Sequence, residues 1–178
     1  RADIVLYSEV DIPIAVIEVK EMNKPVEAGI QQAIGYAQML DVPFSFSTNG
    51  NEILFRNTLK EGNIESYISP EDFPSKQELE DQLLNKKSID RDSLIFQKPH
   101  FKKYKPRYYQ QVAINRALES ISRGLKRMML VMATGTGKTL TAFQIVWKFI
   151  NGNPGARVLY IADRNILIDQ TIINDFSP

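Results

Sequence analysis

The spacing of apolar positions changes several times along this 178-residue chain, and each change marks an element. Asp3–Tyr7 and Ile12–Lys20 are short aliphatic runs separated by the polar stretch Ser8–Asp11, the pattern of two strands joined by a turn. Past Pro25, a residue suited to a first helical turn, Val26, Ile30, Ala33, Ala37 and Leu40 recur at helical spacing, so Pro25–Leu40 is predicted to be an amphipathic helix. Phe44–Thr48 and Glu52–Arg56 flank Asn49-Gly50-Asn51, a hairpin signal because Asn and Gly tolerate positive φ. Pro70–Asp92 is charged and punctuated by proline, with a short helix expected at Lys76–Asn85, and the domain boundary is placed there. Beyond it the pattern predicts a helix over Tyr108–Leu125, an apolar strand at Arg127–Met132, and a helix at Leu140–Ile150 stopped by Asn151-Gly152. A buried strand at Arg157–Ala162 and a helix at Asn165–Asp175 follow. This helix–strand alternation from residue 108 onward is the opening of a doubly wound α/β domain with a parallel sheet.

Composition narrows the class without choosing a function. With 43% hydrophobic and 24% charged residues, the chain has the make-up of a soluble globular protein. No apolar run reaches the ~20 residues of a membrane span, and no signal-peptide pattern opens the chain, so no membrane partner is expected. The absence of cysteine excludes disulfides and thiolate metal sites. The first residue is Arg1 rather than Met, so the chain is expected to be an internal piece of a longer protein.

Charge is unevenly spread. Residues 1–97 hold 9 Lys/Arg against 17 Asp/Glu, while residues 98–127 hold 9 against 1. A basic block of that kind favours ATP or a nucleic-acid backbone, or else forms a solvated helix face.

The sharpest chemical signal is Met132-Ala-Thr-Gly-Thr-Gly-Lys-Thr139, set between an apolar run and a helical pattern. Gly135 and Gly137 let the backbone between Thr134 and Thr136 turn its N–H groups toward phosphate oxygens, and the following helix N-terminus adds its dipole. Lys138 is expected to reach the β/γ-phosphates of ATP, and the Thr139 hydroxyl to hold Mg²⁺. Met132 stands where the full pattern begins with Gly. In that form the loop resembles those of superfamily 2 helicases and translocases.

A second constellation lies near the N-terminus. Glu18 and Lys20 are two apart on a predicted strand and so share a face, and the hairpin can carry Asp3 to Glu18. Two carboxylates with an ammonium beside them suffice for Mg²⁺-assisted phosphodiester hydrolysis, although Glu-x-Lys on a strand also occurs as a plain solvated ion pair. Asp3, Glu18 and Lys20 resemble the PD-(D/E)xK nuclease core, with Ala2 in place of the proline. Gln32 and Tyr36, four apart on the next helix, are similar to the supporting pair of RecB-like nucleases and type I restriction subunits.

The order of these features, with Glu71-Asp72-Phe73-Pro74-Ser75, Arg107-Tyr108-Tyr109-Gln110 and Val158–Asn165, resembles the restriction (motor) subunit of type I restriction–modification enzymes over nearly the whole chain. The resemblance implies a partial nuclease domain at 1–70, a linker at 71–100, and the start of a RecA-like ATP-binding domain at 101–178. It implies catalytic roles for Asp3, Glu18, Lys20, Gln32 and Tyr36, with nuclease Mg²⁺ on Asp3 and Glu18. It also implies that Gln110 reads the adenine edge, that Arg107 approaches the phosphates, and that Arg164 contacts DNA. The implied partners are double-stranded DNA and the methylation and specificity subunits, in a bacterial or archaeal cytoplasm. The acidic motif for ATP hydrolysis and the second helicase lobe are expected outside this chain. A DNA-repair helicase–nuclease, or a remodelling translocase with a non-catalytic DNA-binding N-terminal domain, are the alternative readings.

Overall fold

The computed structural model describes residues 2–8, 12–87, 94–100 and 105–161. The chain divides into two compact units, residues 1–90 and 91–178.

The first unit is built on a five-stranded sheet whose spatial order follows the chain: β1 (Ile4–Tyr7), β2 (Pro13–Val19), β3 (Phe44–Thr48), β4 (Ile53–Asn57) and β5 (Glu65–Ile68). Neighbours run antiparallel except β2 and β3, which are parallel. A parallel pair needs a crossover, and helix α1 (Glu27–Leu40) supplies it. The expected opening strands, helix and Asn49–Asn51 hairpin are all present, while the turn at residues 9–11 lies outside the described residues.

Strand alternation decides what each face holds. On β3, Phe44 and Phe46 join Ile14, Ile53, Phe55 and Leu79 in one core, where the Phe46 and Phe55 rings stack at 4.4 Å. Ser45 and Ser47 point the other way and are also buried. That second face lies under α1, where Val16 packs with Ala33, Ala37 and Leu40, and Leu54 packs with Val26 and Ile30. The sheet is thus covered on both faces over its centre, with small residues on β3 where the helix comes close.

Residues 71–100, expected to be a linker, are divided between the units. Helix α2 (Lys76–Lys87) buries Leu79 in the aromatic core of the first unit. Leu94–Phe96 forms a 3-10 turn that packs on the second unit's helices, α3 (Tyr108–Ser122) and α4 (Lys138–Gly152). Gln144 on α4 accepts from the His100 amide at 3.2 Å and donates to its carbonyl at 2.6 Å, and Lys148 Nζ donates to the Ile95 carbonyl at 2.8 Å. Apolar contact therefore holds the first end of this stretch to the sheet, and apolar contact with hydrogen bonds to its backbone holds the second end to α3 and α4.

The expected start of a doubly wound parallel sheet is not formed among the described residues. Residues 127–132 and 157–161 carry no strand pairing. Met129 and Val131 are 84% and 83% exposed, and Leu159 and Ile161 are 84% and 80% exposed. A strand of a parallel sheet is buried on both faces and bonded along its edges, so an apolar run alone does not make one. The helix expected at Asn165–Asp175, and Arg164 before it, lie outside the described residues. No described helix is long and apolar enough to cross a membrane.

Candidate functional site

In the first unit the topology gathers the predicted nuclease residues at the ends of β1 and β2 and on α1. Ile4 pairs with Ile17 in the antiparallel register, which carries Asp3 toward the last residues of β2. There Asp3 Oδ2 accepts the Val19 amide at 2.9 Å. Glu18 shares a strand face with Val16, so its side chain runs beneath α1 and is only 2% exposed. Lys20 Nζ donates to Glu18 Oε1 at 2.9 Å and to Gln32 Oε1 at 3.2 Å. Tyr36, one turn beyond Gln32, packs against the Val16–Ala33–Ala37–Leu40 cluster.

Two of the three ammonium donors of Lys20 are thus used on Glu18 and Gln32, leaving one donor over. Glu18 is held by one oxygen only: among the described residues Oε2 has no partner although it is buried. No group of three or more His, Cys, Asp or Glu that could hold a metal occurs among the described residues. Mg²⁺ needs fewer, since it binds through one or two carboxylates and keeps several waters. An orphaned buried carboxylate oxygen with a second carboxylate close along the strand ends fits such an ion.

In the second unit the glycine-rich loop 132–139 is ordered by its own backbone and by α3. Gly135 and Gly137 adopt left-handed φ of 78° and 80°, and Gly137 caps α4. Thr136 Oγ1 donates to the Ala133 carbonyl at 2.6 Å, and exposed Lys138 Nζ reaches the same carbonyl at 3.2 Å. Gln110 Oε1 accepts from the Arg107 amide at 2.8 Å, and Nε2 donates to the Thr136 carbonyl at 2.8 Å. Each end of this carboxamide keeps one further hydrogen-bonding capacity, one acceptor and one donor, the pair an adenine edge requires. Arg107 is exposed at the N-cap of α3, and Thr134 is exposed on the loop. Left-handed glycines and a lysine held by a single loop carbonyl suit a nucleotide triphosphate.

Sequence comparison decides between the families that such a pairing of sites allows. Residues 1–74 match the model of the type I restriction enzyme R protein N terminus, and residues 103–178 match that of the type III restriction enzyme res subunit. The chain is 47% identical, over 99% of its length, to the type I restriction enzyme EcoAI endonuclease subunit of Escherichia coli. The chain belongs to the R subunits of type I restriction enzymes.

A second R-subunit relative, the EcoKI endonuclease subunit of Escherichia coli, is 29% identical over 87% of the chain. A solved structure described as a fragment of an HsdR subunit of a type I restriction enzyme from Vibrio vulnificus YJ016 is 42% identical, with a TM-score of 0.76. That match covers 85% of this chain and 28% of the solved one. The chain spans 23% of the EcoAI subunit and 14% of the EcoKI subunit.

Among buried side chains that sequence reasoning passed over, Ser47 matters most for the site. It is a register partner of Glu18 on β3 and is fully buried. A serine alternating with phenylalanine reads as an outward position on a one-sided sheet, so only the placement of α1 over that face brings it into view.

Proposed function

We propose that the protein carrying this chain is an ATP-driven DNA translocase and Mg²⁺-dependent endonuclease. It acts on double-stranded DNA with methylation and specificity subunits, in the bacterial or archaeal cytoplasm. The observation that carries the nuclease half is the cluster of Asp3, Glu18, Lys20 and Gln32, in which one buried carboxylate oxygen has no partner among the described residues.

Asp3 and Glu18 would hold the Mg²⁺, which when bound supplies charge neutralisation at the phosphate and an acidified water. Gln32 and Glu18 fix the Lys20 ammonium from two directions, so that its remaining proton addresses the substrate side. Tyr36 supports the helix face from which Gln32 reaches. In the second unit, the 135–139 backbone and Lys138 would grip the ATP phosphates, Thr139 would hold their Mg²⁺, Gln110 would meet the adenine edge, and Arg107 would approach the phosphates. ATP supplies the free energy for translocation; these residues bind and orient it.

Two substitutions in the complete subunit, assembled with its partners, separate the halves. Lys20→Ala is expected to abolish cleavage of unmodified DNA while ATP hydrolysis continues, and Lys138→Ala to abolish both. Continued cutting by Lys20→Ala removes the nuclease assignment, and undiminished ATP hydrolysis by Lys138→Ala removes the motor assignment.

A further inference from the structure

Helix α1 carries a glycine in its first turn, although alanine is the better helix former. The reason lies beneath it. A Cβ on Gly29 would overlap the Ser47 hydroxyl and would stand 2.8 Å from Lys20 Cε and 3.3 Å from Glu18 Cγ. The helix therefore rests directly on three polar residues of β2, its end and β3.

Glu18 and Ser47 are partners in the parallel register of β2 and β3, so their side chains leave the sheet on the same face. Both are buried, at 2% and 0% exposure. Among the described residues neither Glu18 Oε2 nor Ser47 Oγ has a hydrogen-bond partner. A buried polar atom left without a bond is destabilising, so two of them side by side beneath one glycine call for a common cause.

We propose that Ser47 is a positioning residue for the Glu18 carboxylate, and that Gly29 keeps open the polar space the two share. This rests on the nuclease reading of Glu18. Lys20 fixes Oε1; with a divalent cation bound, the Ser47 hydroxyl would turn to donate to Oε2 and fix the carboxylate plane, leaving the remaining lone pair of Oε2 for the cation. Any side chain at position 29 would displace the hydroxyl or lift α1, and with it Gln32, from Lys20.

The test uses the complete subunit without nucleotide, with Mn²⁺ as the probe, its free fraction followed by electron paramagnetic resonance. Ser47→Ala and Ser47→Cys are expected to weaken Mn²⁺ binding about tenfold. Both are expected to raise the Mg²⁺ concentration needed for half-maximal DNA cleavage, with ATP hydrolysis unchanged. Cysteine fills the serine's space but is a weak donor, so a mere packing role leaves Ser47→Cys at the parental affinity, which would overturn the proposal. Parental Mn²⁺ affinity in Ser47→Ala overturns it equally. Glu18→Gln, measured in parallel, separates the two levels. If it too keeps full Mn²⁺ binding and cleavage, the nuclease reading fails. If it loses both while the Ser47 variants lose neither, only the role of Ser47 falls.

Discussion

Gln110 Nε2 donates to the Thr136 carbonyl at 2.8 Å, fastening the first turn of α3 to the middle of the glycine-rich loop 132–139. The other end of the same carboxamide closes the N-terminus of α3 on the Arg107 amide at 2.8 Å. Gly137, next along the loop, has a φ of 80°, and a Cβ there would collide with Gln110 Nε2. Two requirements, backbone hand and side-chain room, thus fall on one glycine. The loop's shape is set in part from outside its own sequence.

Gln110→Ala is therefore expected to weaken ATP binding as well as to loosen the second unit. Two hydrogen bonds of a buried amide are lost, and a net of about 1 kcal/mol each corresponds to a rise in Kd of up to roughly thirtyfold. Titration with a fluorescent ATP analogue measures it. An unchanged Kd would show that the loop holds its shape without α3.

Gln144 has no exposed surface and serves both backbone groups of His100, at 3.2 Å and 2.6 Å. Gln144→Leu conserves bulk but orphans an amide and a carbonyl, at about 1–3 kcal/mol each. Thermal unfolding of the second unit should shift down by several degrees. Amide exchange at His100 should rise with it; protection equal to the parent would mean another group takes over.

The Tyr67 hydroxyl donates to Glu27 at the start of α1 and holds that carboxyl below its ordinary range, while the same bond pushes the Tyr67 phenol up. A lowered carboxyl contributes stability above the unfolded-state value and loses it as pH falls through the folded value. Tyr67→Phe should accordingly raise the Glu27 midpoint, read from its side-chain carboxyl shift by NMR. A midpoint that stays put would assign the lowering to the Glu27 amide and the helix end alone.

Sequence reading succeeded where apolar spacing is itself the cause of structure. The stripe from Val26 to Leu40 and the Asn49-Gly50 turn produce α1 and the β3–β4 hairpin directly. β5 escaped it because Glu65-Ser-Tyr-Ile is short and half polar; its ladder with β4 and the Arg56–Glu65 ion pair at 2.5 Å hold it. Residues 127–132 and 157–161 mark the opposite error, since apolar runs promise strands that only neighbouring strands can complete. At the candidate site, the positions of Glu18, Lys20 and Gln32 were legible through family resemblance, and the bonds joining them are now in view. Ser47 was not legible, because its burial depends on a helix packed across the sheet. Nor were the ties from Gln144 and Lys148 to segments 44 and 53 residues away.

The alternation Phe44-Ser45-Phe46-Ser47 has a consequence for how the first unit assembles. A slip of β3 by one residue would drive a phenyl ring under Gly29, where not even a methyl group fits, and put a hydroxyl into the aromatic stack. The mistaken register is penalised on both faces at once. Correct pairing of the sheet and alignment of Ser47 with Glu18 are then a single event, and the strand proofreads the site as it folds.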